Sequence, residues 1–145
     1  MSVAAILKQK GREVCSVSPS LAVADLIRQL SARRIGAVLV QGPTGQLLGI
    51  VSERDIVHAI ARDGAAALDL SAGDLMTRTV RSATLATSEQ QAMELMTEGR
   101  FRHLPVLDDD GALVGIISIG DVVKARISQQ EHEVDSLRAY VAGAA

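Results

Sequence analysis

The chain has 145 residues, 48% of them hydrophobic and 22% charged, and its formal net charge is −2, which is typical of a soluble globular chain of one compact domain or two very small ones. Only 1% of the residues are aromatic, so single-stranded nucleic acid would find no stacking platform. The near-neutral charge gives no general attraction to phosphate backbones, and we expect no nucleic-acid partner.

The first predicted elements are a short extended segment around Val14–Val17 and an amphipathic helix. The helix is indicated by apolar residues at the spacing i, i+3, i+4, i+7, namely Val23, Leu26, Ile27 and Leu30. A strand at 36–40, a turn at 41–46 and a strand at 47–51 follow. A second helix then carries Ile56, Val57 and Ile60.

The second half repeats this order after residues 61–76, which we interpret as a flexible linker. An extended segment around Thr79–Ser82 precedes a helix with Ala92, Met93 and Met96, a strand at 103–107, a turn at 108–112 and a strand at 113–117. The last helix carries Val122, Val123 and Ile127. The glycines at 45 and 111 can supply the positive φ that a hairpin needs.

An internal duplication underlies this order. With a constant offset of 66, residues 34–60 align with 100–126 at ten identical positions. They are Arg34/Arg100, Val40/Val106, Gly45/Gly111, Leu47/Leu113, Gly49/Gly115, Ile50/Ile116, Ser52/Ser118, Asp55/Asp121, Val57/Val123 and Ala59/Ala125. We assign residues 1–66 to the first repeat, 67–128 to the second and 129–145 to a helical tail. Because one repeat is too small for a strong core of its own, we expect the two to pack sheet to sheet in an α/β fold, or α+β in some schemes.

The tail continues as an amphipathic helix in which Val134, Leu137, Tyr140 and Val141 recur at helical spacing. Two interpretations remain open: the tail caps the module, or it forms a dimer contact.

The motif Ser-x-x-Asp follows the second strand of both repeats, at Ser52–Asp55 and Ser118–Asp121. Its structural interpretation is a capping box, in which the serine and the acidic residue satisfy free amides at the start of a helix. Its functional interpretation is a nucleotide site. A helix N-terminus at the carboxyl end of a strand attracts phosphate, and a carboxylate accepts hydrogen bonds from the two ribose hydroxyls.

Apolar strand residues beside this motif, Val38, Ile50 and Ile116, could sandwich a purine. Gly49 and Gly115 permit the close approach of another group to the backbone. We expect no metal site, because His58, His103 and His132 lack ligand spacing and Cys15 is the single cysteine. No apolar run could span a membrane, and the N-terminal stretch does not have the layout of a secretion signal, so we expect a cytoplasmic protein with no membrane partner.

These motifs carry a family resemblance. "GIVSERD", "DLMT", "RFRHLPVLD" and "GIISIGDVV" resemble a tandem pair of cystathionine-β-synthase (CBS) domains, a stand-alone bacterial Bateman module. The first copy departs from the pattern, since Val38-Leu39-Val40 replaces Leu104-Pro105-Val106. The resemblance implies a non-catalytic regulatory module that binds AMP, ADP, ATP, NAD(H) or S-adenosylmethionine, forms a homodimer and acts on an effector protein not named by the sequence.

The resemblance also implies roles for site residues. Asp55 and Asp121 would each hold a ribose diol, Ser52 and Ser118 would contact phosphate or ribose, and the basic pair Arg102-His103 would reach phosphate. The first copy has Gly36-Ala37 in place of that pair. It has Glu53-Arg54 where the second has Ile119-Gly120. We therefore expect unequal sites: one where Arg54, Arg102 and His103 converge on a 5′-phosphate, and a roomier one beside Gly36.

Two rival functions remain. The first is a protein-interaction or structural module whose clefts are empty. The second is an enzyme, which the sequence favours least because neither serine of the repeated motif has a histidine pattern to activate it.

Overall fold

The computed structural model describes residues 1–78 and 81–144. The chain forms two compact units. The first-repeat unit is Glu13–Arg81, and the second-repeat unit joins Met1–Arg12 to Ser82–Ala145. Each unit contains a three-stranded sheet flanked by helices, which confirms the predicted α/β class. The chain begins with helix α1 (Val3–Lys10), which belongs to the second-repeat unit.

The first-repeat unit follows the predicted order. Its elements are β1 (Ser16–Val17), α2 (Val23–Arg33), β2 (Ala37–Gln41), β3 (Leu47–Ser52), α3 (Glu53–Asp63), a 3₁₀ helix (Gly64–Asp69) and α4 (Ala72–Leu75). Strand β1 is parallel to β2, and β2 is antiparallel to β3. The buried core of this unit consists of Val17, Leu26, Leu30, Val38, Val40, Val51, Ile56 and Ala72.

The second-repeat unit has the same sheet. Its remaining elements are β4 (Ala83–Thr84), α5 (Glu89–Gly99), β5 (His103–Leu107), β6 (Leu113–Ser118) and α6 (Ile119–Ala144). Strand β4 is parallel to β5, which is antiparallel to β6. Its core includes Val3, Ile6, Leu7, Leu104, Val106, Ile117 and Val122. The extended segment predicted around Thr79–Ser82 lies partly outside the described residues, and the first strand of this unit begins at residue 83.

Repeated residues produce repeated backbone geometry. Gly45 and Gly111 both have φ +81°, as the hairpin prediction requires. Arg34 and Arg100 end α2 and α5 in the left-handed conformation, with φ 54° and 55°. The residues that are identical in the two repeats therefore adopt the same backbone conformation in both units.

The helix at the start of each repeat packs in the other repeat's unit. Helix α1 begins at the N-cap Ser2, which bridges to Ser88, and helix α4 begins at the N-cap Ser71, which bridges to Ala22. Since positions 22 and 88 correspond at the offset of 66, α1 and α4 occupy equivalent places in the two units. The division into units therefore differs from the division into sequence repeats.

One expectation from the sequence was wrong, and the structure excludes one of the two interpretations left open for the tail. The segment 61–76 is not a flexible linker, because it contains the end of α3, the 3₁₀ helix and α4, with Ala67 and Ala72 fully buried. The tail is not a cap over the module. Its apolar residues are exposed, with Leu137 at 63% and Tyr140 at 75% of their full accessibility.

Candidate functional site

Both Ser-x-x-Asp motifs lie where the last strand of a unit meets a helix. Ser52 ends β3 and is the N-cap of α3, where its amide donates to Oδ2 of Asp55 at 2.9 Å and its Oγ accepts from the Asp55 amide at 3.4 Å. In the other unit the Ser118 amide donates to Oδ2 of Asp121 at 2.8 Å, and Ser118 Oγ accepts from the Asp121 amide at 3.1 Å. The capping-box interpretation is confirmed at both positions.

The capping box uses only one carboxylate oxygen of each aspartate. Oδ2 accepts the bonds from the serine, whereas Oδ1 of Asp55 and of Asp121 has no hydrogen-bond donor among residues 1–78 and 81–144. Both residues are partly exposed. Each junction therefore presents a fixed carboxylate oxygen with free acceptor capacity beside the first turn of a helix.

The predicted neighbours of each motif adjoin it. Ala37 pairs with Ser52 across the sheet, and His103 pairs with Ser118. The carbonyl of Gly36 accepts from the amide of Glu53 at 3.0 Å. In the same way, the carbonyl of Arg102 accepts from Ile119 at 2.8 Å.

The residues that surround the junction differ in charge between the two units. The second-repeat unit brings the exposed Arg102 and the half-buried His103 to the junction of Ser118, whereas small residues 36 and 37 stand at the other junction. Arg54 is exposed on α3 in the first-repeat unit. Its convergence with Arg102 and His103 stays a prediction.

The apolar residues separate onto two faces. Ile50 alternates with the buried Gly49 and Val51, so it lies on the same face of β3 as Ser52, and Ile116 shares a face with Ser118. Val38 is fully buried in the core of its unit. The proposal that Val38 sandwiches a purine was therefore wrong, because Val38 pairs with the buried Val51 and lies with it in the core.

Lys10, which the sequence analysis did not single out, distinguishes the two junctions. Its Nζ donates to Oδ2 of Asp121 at 2.6 Å and to the carbonyl oxygen of Ile116 at 2.9 Å. In the first-repeat unit the equivalent carbonyl, on Ile50, accepts instead from the amide of Thr77 at 2.8 Å. Asp55 makes no ion pair with any described residue. One signal in the sequence could have indicated Lys10. A serine N-cap begins each of the two helices that lead to the junctions, Ser2 for α1 and Ser71 for α4.

Lys10 also changes the ionisation of its partner. Burial alone would raise the pKa of Asp121, but the hydrogen bond from Lys10, the amide of Ser118 and the positive charge of Lys10 outweigh it and lower the pKa overall. The Asp121 carboxylate therefore stays ionised to lower pH than an ordinary aspartate.

The repeated glycines allow the chain itself to approach the sheet. A Cβ on Gly49 would lie 2.7 Å from the carbonyl oxygen of Thr77 and 2.9 Å from the sulfur of Met76. A Cβ on Gly115 would lie 2.8 Å from Cδ2 of Leu7 on α1. The close approach predicted at these positions is thus made by residues of α1 and of the segment that follows α4.

The described part of the chain contains no group of three or more histidine, cysteine, aspartate or glutamate residues arranged to hold a metal ion. Within the same residues, no helix combines the length and apolar character needed to cross a membrane.

The duplicated α/β unit with a Ser-x-x-Asp helix cap defines a tandem two-domain module. The family model for the CBS domain matches residues 10–62 and again residues 72–128. The chain therefore belongs to the CBS domain family and carries the domain twice.

Known proteins of this family resemble most of the chain. The crystal structure of a CBS-domain containing protein from Agrobacterium tumefaciens is 47% identical and superposes with a TM-score of 0.84, covering 86% of this chain and 92% of that one. The CBS domain-containing protein CBSX3, mitochondrial, of Arabidopsis thaliana is 33% identical, covering 98% of this chain and 72% of its own length. The structure of CBSX2 in complex with AMP is 28% identical with a TM-score of 0.69, covering 84% of this chain and 92% of that one.

Proposed function

We propose that this protein is a non-catalytic regulatory module that binds an adenine nucleotide at its Ser-x-x-Asp junctions and, as a homodimer, changes its affinity for an effector protein. The observation that carries the proposal is the free Oδ1 of Asp55, held beside the first turn of α3 by the capping box. A ribose diol can donate two hydrogen bonds to such a carboxylate, and charge-assisted bonds of this kind are stronger than neutral ones.

The related CBSX2, which was crystallised with AMP, supports an adenosyl ligand. AMP, ADP, ATP, NAD(H) and S-adenosylmethionine share the adenosine part that a carboxylate and an apolar strand would recognise. Binding shifts a conformational equilibrium only if the ligand has different affinities for the two states, so regulation requires such a difference. The cytoplasmic location expected from the sequence is part of this proposal.

We further propose that the two junctions bind unequally. Lys10 occupies Oδ2 of Asp121, so a ligand at this junction must displace Lys10 or share the carboxylate with it. Asp55 makes no ion pair with a described residue. At the second junction, the positive charge of Arg102 and the hydrogen-bond donor of His103 favour a ligand that carries phosphate. Gly36 and Ala37 leave more room at the first.

A thermal-shift series with the five adenosyl compounds, with guanosine nucleotides as controls, tests ligand class. A ligand at about 100 times its dissociation constant stabilises by ~2.7 kcal/mol, which corresponds to a shift of roughly 5–10 °C for a chain of this size. A selective adenosyl shift supports the proposal. The absence of any shift at millimolar concentration would favour the rival function, a protein-interaction module.

The capping boxes provide a matched control for the site. Asp55→Ala should remove both a cap and the ribose acceptor, whereas Asp74→Ala removes only a cap, since the Ser71 amide donates to Oδ2 of Asp74 at the same 2.9 Å. Both variants should lose about 1 kcal/mol of stability. Only Asp55→Ala should lose nucleotide binding in calorimetric titration, and equal binding by the two variants would refute the role of Asp55.

A further inference from the structure

Helix α6 extends beyond the unit to which it belongs. Its first-repeat counterpart, α3, ends at Asp63, but α6 continues to Ala144. Val122 and Ala125 are buried in the unit, whereas every side chain from 126 to 143 is exposed. Because most of the stability of a helix in a protein comes from packing its apolar face, a long helix without a buried face needs a partner to bury its apolar residues.

The exposed apolar residues of α6 follow a heptad. At alternating spacings of four and three, the positions are Val123, Ile127, Gln130, Val134, Leu137 and Val141, of which all the apolar members are at least 44% exposed. Ile127, Val134 and Val141 then occupy the a positions, and Leu137 a d position. β-branched residues at a with leucine at d favour a parallel two-stranded coiled coil.

The charges beside this stripe fit a second copy in the same direction. In a parallel pair, each g residue faces the e residue five positions later on the other helix. Arg126 would then face the partner's Glu131, and Glu133 would face the partner's Arg138, so both contacts are between opposite charges. Arg126 also contacts Glu89 of its own unit at 3.6 Å, so the Glu133 contact is the cleaner of the two.

Other registers bring like charges together. A shift of one heptad in one direction places Arg126 opposite the partner's Arg138, and a shift in the other places Glu133 opposite the partner's Glu131. Such repulsion selects the unshifted register, although each exposed pair by itself contributes little.

We propose that the exposed stripe of α6, residues 123–141, pairs in parallel and in register with the same stripe of a second copy of this chain. This deepens the homodimer of the proposed function and does not depend on nucleotide binding. An antiparallel pair or a helix of another protein on this stripe would be a different arrangement, and both are outcomes of the tests below.

Cysteine cross-linking without nucleotide tests the register. Its failure would leave the nucleotide proposal untouched. In a Cys15→Ser background, Gln130→Cys places a thiol at a d position, where it faces its equivalent across the dimer axis at a separation close to that of a disulfide. Gln129→Cys, one residue earlier, points away and is the control. Under mild oxidation we expect a covalent dimer from Gln130→Cys alone. Equal cross-linking of the two variants, or none, overturns the proposal.

A charge exchange tests the pairing in another way. Glu133→Arg turns two attractive contacts of the dimer into repulsive ones, and the dimer dissociation constant measured by sedimentation equilibrium should rise about ten-fold. Adding Arg138→Glu should restore it, and His132→Arg, on the outer face, should leave it unchanged. An unaffected dimer in Glu133→Arg, a monomeric wild type, or no rescue in the double variant would contradict the parallel arrangement.

Discussion

The two Ser-x-x-Asp junctions have the same backbone geometry but different surroundings. Both form a capping box with nearly equal distances, 2.9 and 2.8 Å from serine amide to carboxylate. At the second junction α1 continues to Lys10, whose ammonium group bonds Asp121 and the Ile116 carbonyl. At the first, α4 stops at Leu75 and the backbone of Thr77 bonds Ile50. A duplicated motif therefore does not ensure two equal junctions, because the start of the other repeat completes each one.

The largest difference in stability between equivalent variants of the two units is expected at the paired glycines, Gly49 and Gly115. Gly49→Ala would press a methyl group on the backbone oxygen of Thr77, which cannot move alone, and we expect a loss of about 2–3 kcal/mol of stability. Gly115→Ala meets the flexible end of Leu7 and should cost about 1 kcal/mol. Urea denaturation of both variants measures the difference. A larger loss in Gly115→Ala would reverse this part of the comparison.

A smaller effect is expected from Lys10→Met, with Lys8→Met on the exposed face of α1 as control. The Lys10–Asp121 pair is partly exposed, so its removal should cost at most about 1 kcal/mol at neutral pH. Because the pKa of Asp121 is lowered in the folded state, the ionised carboxylate stabilises the fold above its ordinary pKa. That contribution is lost as the pH falls through the lowered value.

The stability difference between wild type and Lys10→Met should therefore shrink in acid, and denaturation at a series of pH values would show it. A difference that stays constant from neutral to acid pH would mean that the ion pair does not stabilise the fold.

The smallest effect is expected to be alike in both units. Arg34→Gly and Arg100→Gly relieve the left-handed conformation at the ends of α2 and α5, and each should stabilise by up to about 1 kcal/mol. Thermal unfolding would show whether the two variants shift together. If only one of them stabilised the protein, the two helix ends would not be equivalent despite their common geometry.

The sequence predicted those features that the repeat encodes locally. The apolar spacing of α2, the positive φ of Gly45 and Gly111 and the capping boxes depend on residues close together in the chain, and all were found. The family resemblance was confirmed as well. The roles of the site residues in binding stay predictions.

The rest depends on contacts between distant parts of the chain. The packing of α1 in the second-repeat unit brings Lys10 to Asp121. The two residues are 111 positions apart in the chain, and no local pattern reveals such a contact. Val38 was misplaced because its burial follows from its pairing with the core residue Val51 of β3, a register that the sequence did not show. The segment 61–76 was interpreted as a linker from its small residues, yet burial of Ala67 and Ala72 orders it.

Calorimetric titration of AMP into the wild type and into Lys10→Met tests the central claim, that Lys10 makes the two junctions unequal. We expect the competition of Lys10 for Asp121 to outweigh the attraction of phosphate at the second junction, so the wild type should bind AMP at a dominant site that Asp55→Ala removes. In Lys10→Met the junction of Asp121 should bind AMP about three- to ten-fold more tightly, since a competing charged hydrogen bond of roughly 1 kcal/mol is lost. Equal sites in the wild type, or weaker binding in Lys10→Met, would contradict the account.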